Sequence, residues 1–224
     1  MSNLSFKKQL YAQIARLGKA VGSGHRLELL EYLAQGERTV EALARLSGLS
    51  VANTSQHLQI LRQSGLVSTR REGLYVHYRL AESQVALLVE VLGKLAASQL
   101  AEVERLVQNY LTKKDEMEPV PRAELLTRVR DGIVTVLDVR PSDEYKAGHL
   151  PGAINIPLKE LKEHLEMLPR QEDIVAYCRG PYCVLAYEAV AQLRQKGFKA
   201  RRLEDGYPEW KLAGLPVEED TKKR

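Results

Sequence analysis

The sequence predicts two domains of different class in one chain: a mainly α N-terminal domain ending in a β-hairpin, and a C-terminal α/β domain with a parallel sheet. Three observations predict it. Apolar residues recur at helix spacing through most of residues 4–111, interrupted by one pair of alternating runs. Beyond residue 121, continuous apolar runs such as Ile133-Val134-Thr135-Val136-Leu137 alternate with helical segments, the pattern of buried parallel strands. Between them, Thr112-Lys-Lys-Asp-Glu-Met-Glu-Pro-Val-Pro121 is charged, twice interrupted by proline and without period. It reads as a linker. The expected boundaries are a domain over 1–112, a linker over 113–121 and a second domain over 122–218.

In chain order, Leu4 to Val21 reads as a helix, and Ser23 is a candidate cap for the next, His25 to Ala34. Thr39 caps a short helix over Val40 to Leu46, Ser47-Gly48-Leu49-Ser50 is a tight turn, and Val51 to Gln63 is a further helix. Leu66 to Arg70 and Tyr75 to Leu80 alternate about Glu72-Gly73 as a hairpin. Glu82 to Leu111 reads as one long helix, longer than a small core needs, which points to dimerisation. In the second half, helices are expected over Arg122 to Arg130, Leu158 to Leu168 and Leu185 to Lys196, and strands at 133–137, 153–156, 174–177 and 200–203.

The 224 residues are 44% hydrophobic and 28% charged, ordinary values for a globular protein. No apolar run approaches bilayer length, and Met1 to Leu10 lacks the basic-then-apolar pattern of a secretory signal, so a cytoplasmic location is expected, with no membrane partner. The net charge of +4 is uneven: residues 1–115 hold 15 Lys and Arg against 10 Asp and Glu, whereas the remainder holds 18 against 19. The basic half is the candidate for a polyanionic partner. Both cysteines of the chain fall within Cys178-Arg179-Gly180-Pro181-Tyr182-Cys183-Val184. A close thiol pair in such a chain points to catalysis or redox sensing rather than to a structural staple.

Two helices joined by a short glycine-bearing turn and followed by a two-stranded wing make a winged helix-turn-helix. Its second helix offers Asn53, Thr54, Ser55, Gln56, His57 and Gln59, polar side chains suited to base edges, above a face of Leu58, Ile60 and Leu61 expected to be buried. Arg62, Arg70, Arg71 and Arg79 are placed for phosphates or, at the wing tip, a minor groove. His57 is read either as a DNA contact or as a local hydrogen-bonding group. The stretches Val40-Glu-Ala-Leu-Ala-Arg-Leu-Ser-Gly-Leu-Ser50 and Ser55-Gln-His-Leu-Gln-Ile-Leu-Arg-Gln-Ser-Gly-Leu-Val67 resemble the ArsR/SmtB family of bacterial repressors over about residues 10–110. The resemblance implies a homodimer that binds a palindromic operator in double-stranded DNA and leaves it when an inducer binds. Many members ligate metals through cysteines before the turn or through Asp/His/Glu sets on the last helix. Residues 1–115 hold no Cys and the long stretch holds no His, so neither a metal nor another cofactor is expected.

A thiol between a strand and a helix sits where backbone N–H groups and the helix dipole favour a thiolate. Leu137-Asp-Val-Arg-Pro141, Glu144-Tyr-Lys-Ala-Gly-His-Leu-Pro-Gly-Ala-Ile-Asn-Ile-Pro157 and Asp205-Gly-Tyr-Pro-Glu-Trp210 resemble the rhodanese (sulfurtransferase) domain over about Arg122 to Glu218. The resemblance implies acceptance of a sulfane sulfur by Cys178, with Arg179 adding charge and Gly180, Pro181, Tyr182 and Val184 forming an anion-cradling loop. Active members often read Cys-Arg-x-Gly-x-Arg-Ser/Thr. Here Pro181, Cys183 and Val184 stand at the later glycine, second arginine and hydroxyl positions, which weakens the case for thiosulfate. Cys183 is read as a resolving thiol or, alternatively, a small buried hydrophobe at the helix start. Asp138 and Arg140 are read as a structural pair at the strand end and as secondary pocket candidates. His149 is read as a loop-fixing group; Tyr182 and Trp210 are placed at the pocket mouth, Trp210 equally in the core.

The expected function is a DNA-binding repressor whose rhodanese domain senses a sulfane-sulfur donor or oxidant through Cys178. A sulfurtransferase coupled to a DNA-binding module is the alternative. A third reading is a repressor carrying an inert rhodanese fold.

Overall fold

The computed structural model describes residues 3–115 and 117–220. The chain divides into two compact units between Val89 and Glu90. The first begins with α1 (Asn3–Val21) and α2 (Gly24–Ala34). Ser23 precedes α2, but its hydroxyl makes no capping bond. Arg26 instead reaches back to the carbonyls of Lys19 and Ala20 and closes the end of α1. A two-residue strand, β1 (Arg38–Thr39), leads into α3 (Val40–Ser47), whose first turn is capped by Thr39 accepting from Ala42 N at 3.3 Å. Gly48 then takes a left-handed conformation (φ 68°), open to glycine without strain, and Ser50 caps α4 (Val51–Gln63) through Asn53 N. The wing, β2 (Val67–Glu72) and β3 (Tyr75–Leu80), pairs antiparallel from Val67–Leu80 to Glu72–Tyr75. β1 adds to it through β3, a pairing too short to carry a sequence signal. Leu29, Leu30, Leu43, Leu58 and Leu61 fill this core.

The long helix read over 82–111 is broken. α5 (Ser83–Gln99) and α6 (Ala101–Leu106) meet at Leu100, which is extended (φ −111°, ψ 107°), and a π-helical turn follows (Val107–Thr112). Neither glycine nor proline marks the break. Ser98 bonds back to the Leu95 carbonyl, a local competitor of the helix ladder, and Glu102 and Glu104 supply the first-turn acids of a new helix. No single helix among the described residues is long and apolar enough to cross a membrane.

The second unit is a four-stranded sheet in the order β5-β4-β6-β7, all parallel, with β4 (Val134–Asp138), β5 (Ile154–Asn155), β6 (Asp173–Tyr177) and β7 (Ala200–Arg202). Around it lie α7 (Arg122–Arg130), α8 (Ser142–Ala147), α9 (Val184–Gln195) and α10 (Tyr207–Leu212). Helix was expected over Leu158 to Leu168, but the segment forms two 3₁₀ turns, Leu161–Glu163 and Leu165–Met167. Pro169 forces Leu168 out of the helical region (ψ 132°) and ends it. Within the stretch expected as a linker, Glu116 lies outside the described residues, whereas Asp115 is buried, hydrogen-bonded to Arg194 at 2.7 Å and ion-paired with Arg202 at 3.3 Å.

Candidate functional site

On α4 the buried face runs through Thr54, Leu58 and Leu61, a spacing of four then three. Two sequence assignments are corrected by it. Ile60 lies off that face and is 40% exposed. Thr54 is buried, with its hydroxyl donated to the Ser50 carbonyl at 3.0 Å, so it reads no base. Asn53, Gln56 and Gln59 stand exposed along the outer face, with Ser55 half-buried beside them. His57 turns to His25 of α2, ring centroids 5.5 Å apart. Partial burial, then the charges of His25 and Arg26, lower its pKa, favouring the neutral ring. Arg62, Arg71 and Arg79 are exposed, and Arg79 Nε donates to Ser68 Oγ. Arg70, also exposed, has its guanidinium held by Glu37 at 2.6 Å and Glu72 at 2.8 Å. Phosphate contact there first requires breaking those pairs. Among the described residues, no group of three or more His, Cys, Asp or Glu is placed to hold a metal.

The thiol loop closes on itself. Cys178 follows β6, Cys183 is the N-cap of α9, and the two are joined as a disulfide with Cα atoms 6.2 Å apart. Both are nearly buried, at 1% and 9% exposure. The turn between them is fixed by Cys183 N donating to the Gly180 carbonyl at 3.1 Å and by Tyr187 OH donating to the Pro181 carbonyl. The anion cradle expected here is incomplete in this form. Pro181 has no N–H to offer, and the Cys183 N–H is spent within the turn. Arg179, expected to add charge at the sulfur, instead forms a forked pair with the buried carboxylate of Glu144, 2.7 Å at the shortest contact. Glu144, in the first turn of α8, was assigned no role in the sequence, where its partner lies 35 positions away.

Asp138 and Arg140 are both 0% exposed. Arg140 donates from Nε and Nη2 to the Asp138 carboxylate and from Nη2 to the Gly148 carbonyl, while its guanidinium lies 4.4 Å over the Tyr207 ring. Tyr177 OH donates to the same carboxylate and accepts from Leu150 N. Burial works to lower the Arg140 pKa, but Asp138 outweighs it and the net shift is upwards. This pair is a structural knot with no surface for a ligand. His149 stacks on Tyr145 at 3.7 Å and bonds its carbonyl, fixing the loop, and Trp210 is core, its Nε1 donating to the Pro216 carbonyl.

Behind the loop, Gly206 lets the backbone of α10 approach. A Cβ there would collide with the Arg179 carbonyl carbon and Gly180 N. Glu209 Oε2 accepts from Gly206 N at 2.9 Å. Burial pushes the Glu209 carboxyl up to about 7, against the pull of two backbone N–H groups and with a further push from Glu90 and Asp205. The folded chain therefore keeps a proton that the unfolded chain, near 4.5, has lost, so stability falls as pH rises from about 4.5 to about 7. Glu209→Gln, which does not titrate, is expected to flatten the pH dependence of the melting temperature between about pH 5 and about pH 8. Parallel curves for the two proteins contradict this.

Two family models match the chain: "Bacterial regulatory protein, arsR family" over residues 23–69 and "Rhodanese-like domain" over residues 121–213. The HTH-type transcriptional regulator Rv0324 of Mycobacterium tuberculosis is 48% identical over 213 residues, 95% of this chain and 93% of that protein. A tRNA sulfurtransferase of Desulfurococcus amylolyticus is 32% identical over 143 residues, which span 63% of this chain but only 27% of that enzyme. Among solved structures, a homodimeric winged helix-turn-helix DNA-binding domain (fragment 1-100) from Mycobacterium bovis is 43% identical and covers 45% of this chain and 91% of that one, with a TM-score of 0.41. Helix α4 and the loop between β6 and α9 thus fall inside two matched families, and a transcriptional regulator is 48% identical over 95% of the chain: the chain belongs to the arsR family of DNA-binding transcriptional regulators and carries a rhodanese-like domain behind its winged helix.

Proposed function

We propose that the rhodanese-like domain is the sensor of this regulator, reading reactive sulfur or oxidant through Cys178 with Cys183 as resolving thiol. The observation that carries the reading is the pairing of the two sulfurs across one six-residue turn. The Cys178 thiolate attacks a terminal sulfur of a polysulfide and becomes a persulfide, as the shortened polysulfide leaves. The Cys183 thiolate then attacks the Cys178 sulfur and expels hydrosulfide. Two thiols lose two electrons and the sulfane sulfur gains them. With peroxide, a sulfenic acid on Cys178 is resolved the same way and water leaves. The interrupted cradle and the engaged Arg179 favour such a one-shot switch over turnover on an anion like thiosulfate.

Tyr182 supports a route for the signal. It lies inside the disulfide-closed turn and faces Gly93 of α5, where a Cβ would stand 3.5 Å from its ring. Exposed apolar stripes, Phe6, Leu10, Ile14 and Leu17 on α1 and Leu87, Val91 and Leu95 on α5, support a homodimer on a palindromic operator. Opening the disulfide re-poses Tyr182 against the helix that carries one of these stripes. Tyr182→Ala is expected to form the disulfide normally while losing most of the change in operator affinity. A full response in that variant rules out this route.

The test is operator binding by gel shift with reduced and polysulfide-treated protein, and intact mass recorded for each. A shift in affinity together with the loss of two hydrogens supports the reading; modification without a shift refutes it. On the DNA side, Gln56→Ala and Gln59→Ala are each expected to cost about 1–3 kcal/mol of operator affinity with little change in nonspecific binding, measured by titration against operator and scrambled duplexes.

A further inference from the structure

We propose a second small-molecule site in the C-terminal unit, at the opposite end of the sheet from the cysteines, for an organic anion with an apolar body. The sheet is parallel and the thiol loop follows the C-terminal end of β6. A cavity of about 400 Å³ opens at the other end, where β6 and β7 begin. That volume falls in the range of small-ligand sites. Buried Ile174 and Phe198 contribute to its apolar wall.

Its charge is one-sided. Arg128, Arg194, Lys199 and Arg201 line it, against one acid among the described lining residues, Asp173, bonded to Arg128 at 3.1 Å; Glu124, outside the lining, also pairs with Arg128 at 2.6 Å and Arg201 at 3.5 Å. Among the described residues no carboxylate pairs with Lys199. Arg194 is the most telling member. Its Nη1 holds Asp115 at 2.7 Å and its Nε donates to the Ala200 carbonyl, but its Nη2 is buried with no hydrogen-bond partner among the described residues. A buried N–H left unpaired is costly and rare. A carboxylate that draws the guanidinium towards the cavity gives Nη2 the acceptor it lacks, beside Lys199. An apolar body attached to that carboxylate covers Phe198 and Ile174. The same movement loosens Asp115, which follows the π-helical turn after α6, so occupancy of the cavity is felt by the segment that leads back to α5.

The inference is independent of thiol sensing. Isothermal titration of the full-length chain with benzoate is expected to give saturable binding with a dissociation constant of about 1 mM, and benzamide, the neutral isostere, about tenfold weaker. Lys199→Glu, at an exposed position outside any ion pair among the described residues, is expected to weaken benzoate about five- to tenfold without moving the melting temperature. Cys178→Ser is expected to bind benzoate as the wild type does. Equal binding of benzoate and benzamide, an absence of saturation, or indifference to Lys199→Glu overturns the proposal, whatever the outcome at the cysteines.

Discussion

Serine at Cys178 is expected to leave operator binding the same before and after polysulfide treatment, where the wild-type chain changes its affinity by a factor of about 5 to 150, the span of ordinary allosteric coupling energies. The argument rests on which sulfur starts the chemistry. Cys178 follows a buried strand and Cys183 occupies the N-cap of α9. A lone thiol at 183 lacks the partner at 6.2 Å that completes the disulfide. Cys183→Ser separates the steps: it keeps a persulfide or sulfenic acid on Cys178, visible as added mass, without the loss of two hydrogens. If operator affinity follows the mass change in that variant, the modification of Cys178 is the signal; if it follows only disulfide formation, the closed turn and Tyr182 are. A Cys178→Ser protein that still responds fully to polysulfide refutes thiol sensing altogether.

How much of this was legible in the sequence depended on whether the cause was local. The cap at Thr39, the turn at Gly48, the wing and the buried strands β4 and β6 follow from short-range rules and stand where the residues point. The two cysteines drew attention by spacing alone, and their bonding needed only a turn of ordinary size. What escaped was set by partners distant in sequence. The break at Leu100 has no proline or glycine to announce it. Arg179 and Glu144 are 35 positions apart, and Arg70 and Glu37 are 33 apart. Both arginines looked free for anions because an arginine's sequence neighbours do not reveal which carboxylate the fold brings to it. Thr54 looked like a base reader because polarity was counted without the helical phase that places it over Leu58.

Asp138→Ala is expected to destabilise the C-terminal unit by about 3–5 kcal/mol, the usual cost of stripping one partner from a buried ion pair. The size follows from what stays behind. Arg140 keeps its charge at 0% exposure, beside the Gly148 carbonyl, the faces of Tyr177 and Tyr207 and the field of Glu144, but without its forked partner, and Tyr177 OH loses its acceptor. Against a typical domain stability of about 5–15 kcal/mol, that loss brings the unit close to unfolding. The chain's one tryptophan, Trp210, is buried in this unit and reports its denaturant midpoint by fluorescence without interference from the other. Asp138→Ala with Arg140→Leu is expected to recover much of the loss, because the stranded charge goes with its partner. A double variant no better than the single assigns the cost to lost packing around Leu150 and Tyr207 rather than to an uncompensated guanidinium. That result takes the pair out of the electrostatics of the fold, whereas recovery shows that Asp138 is there to neutralise an arginine that the two tyrosines hold in place.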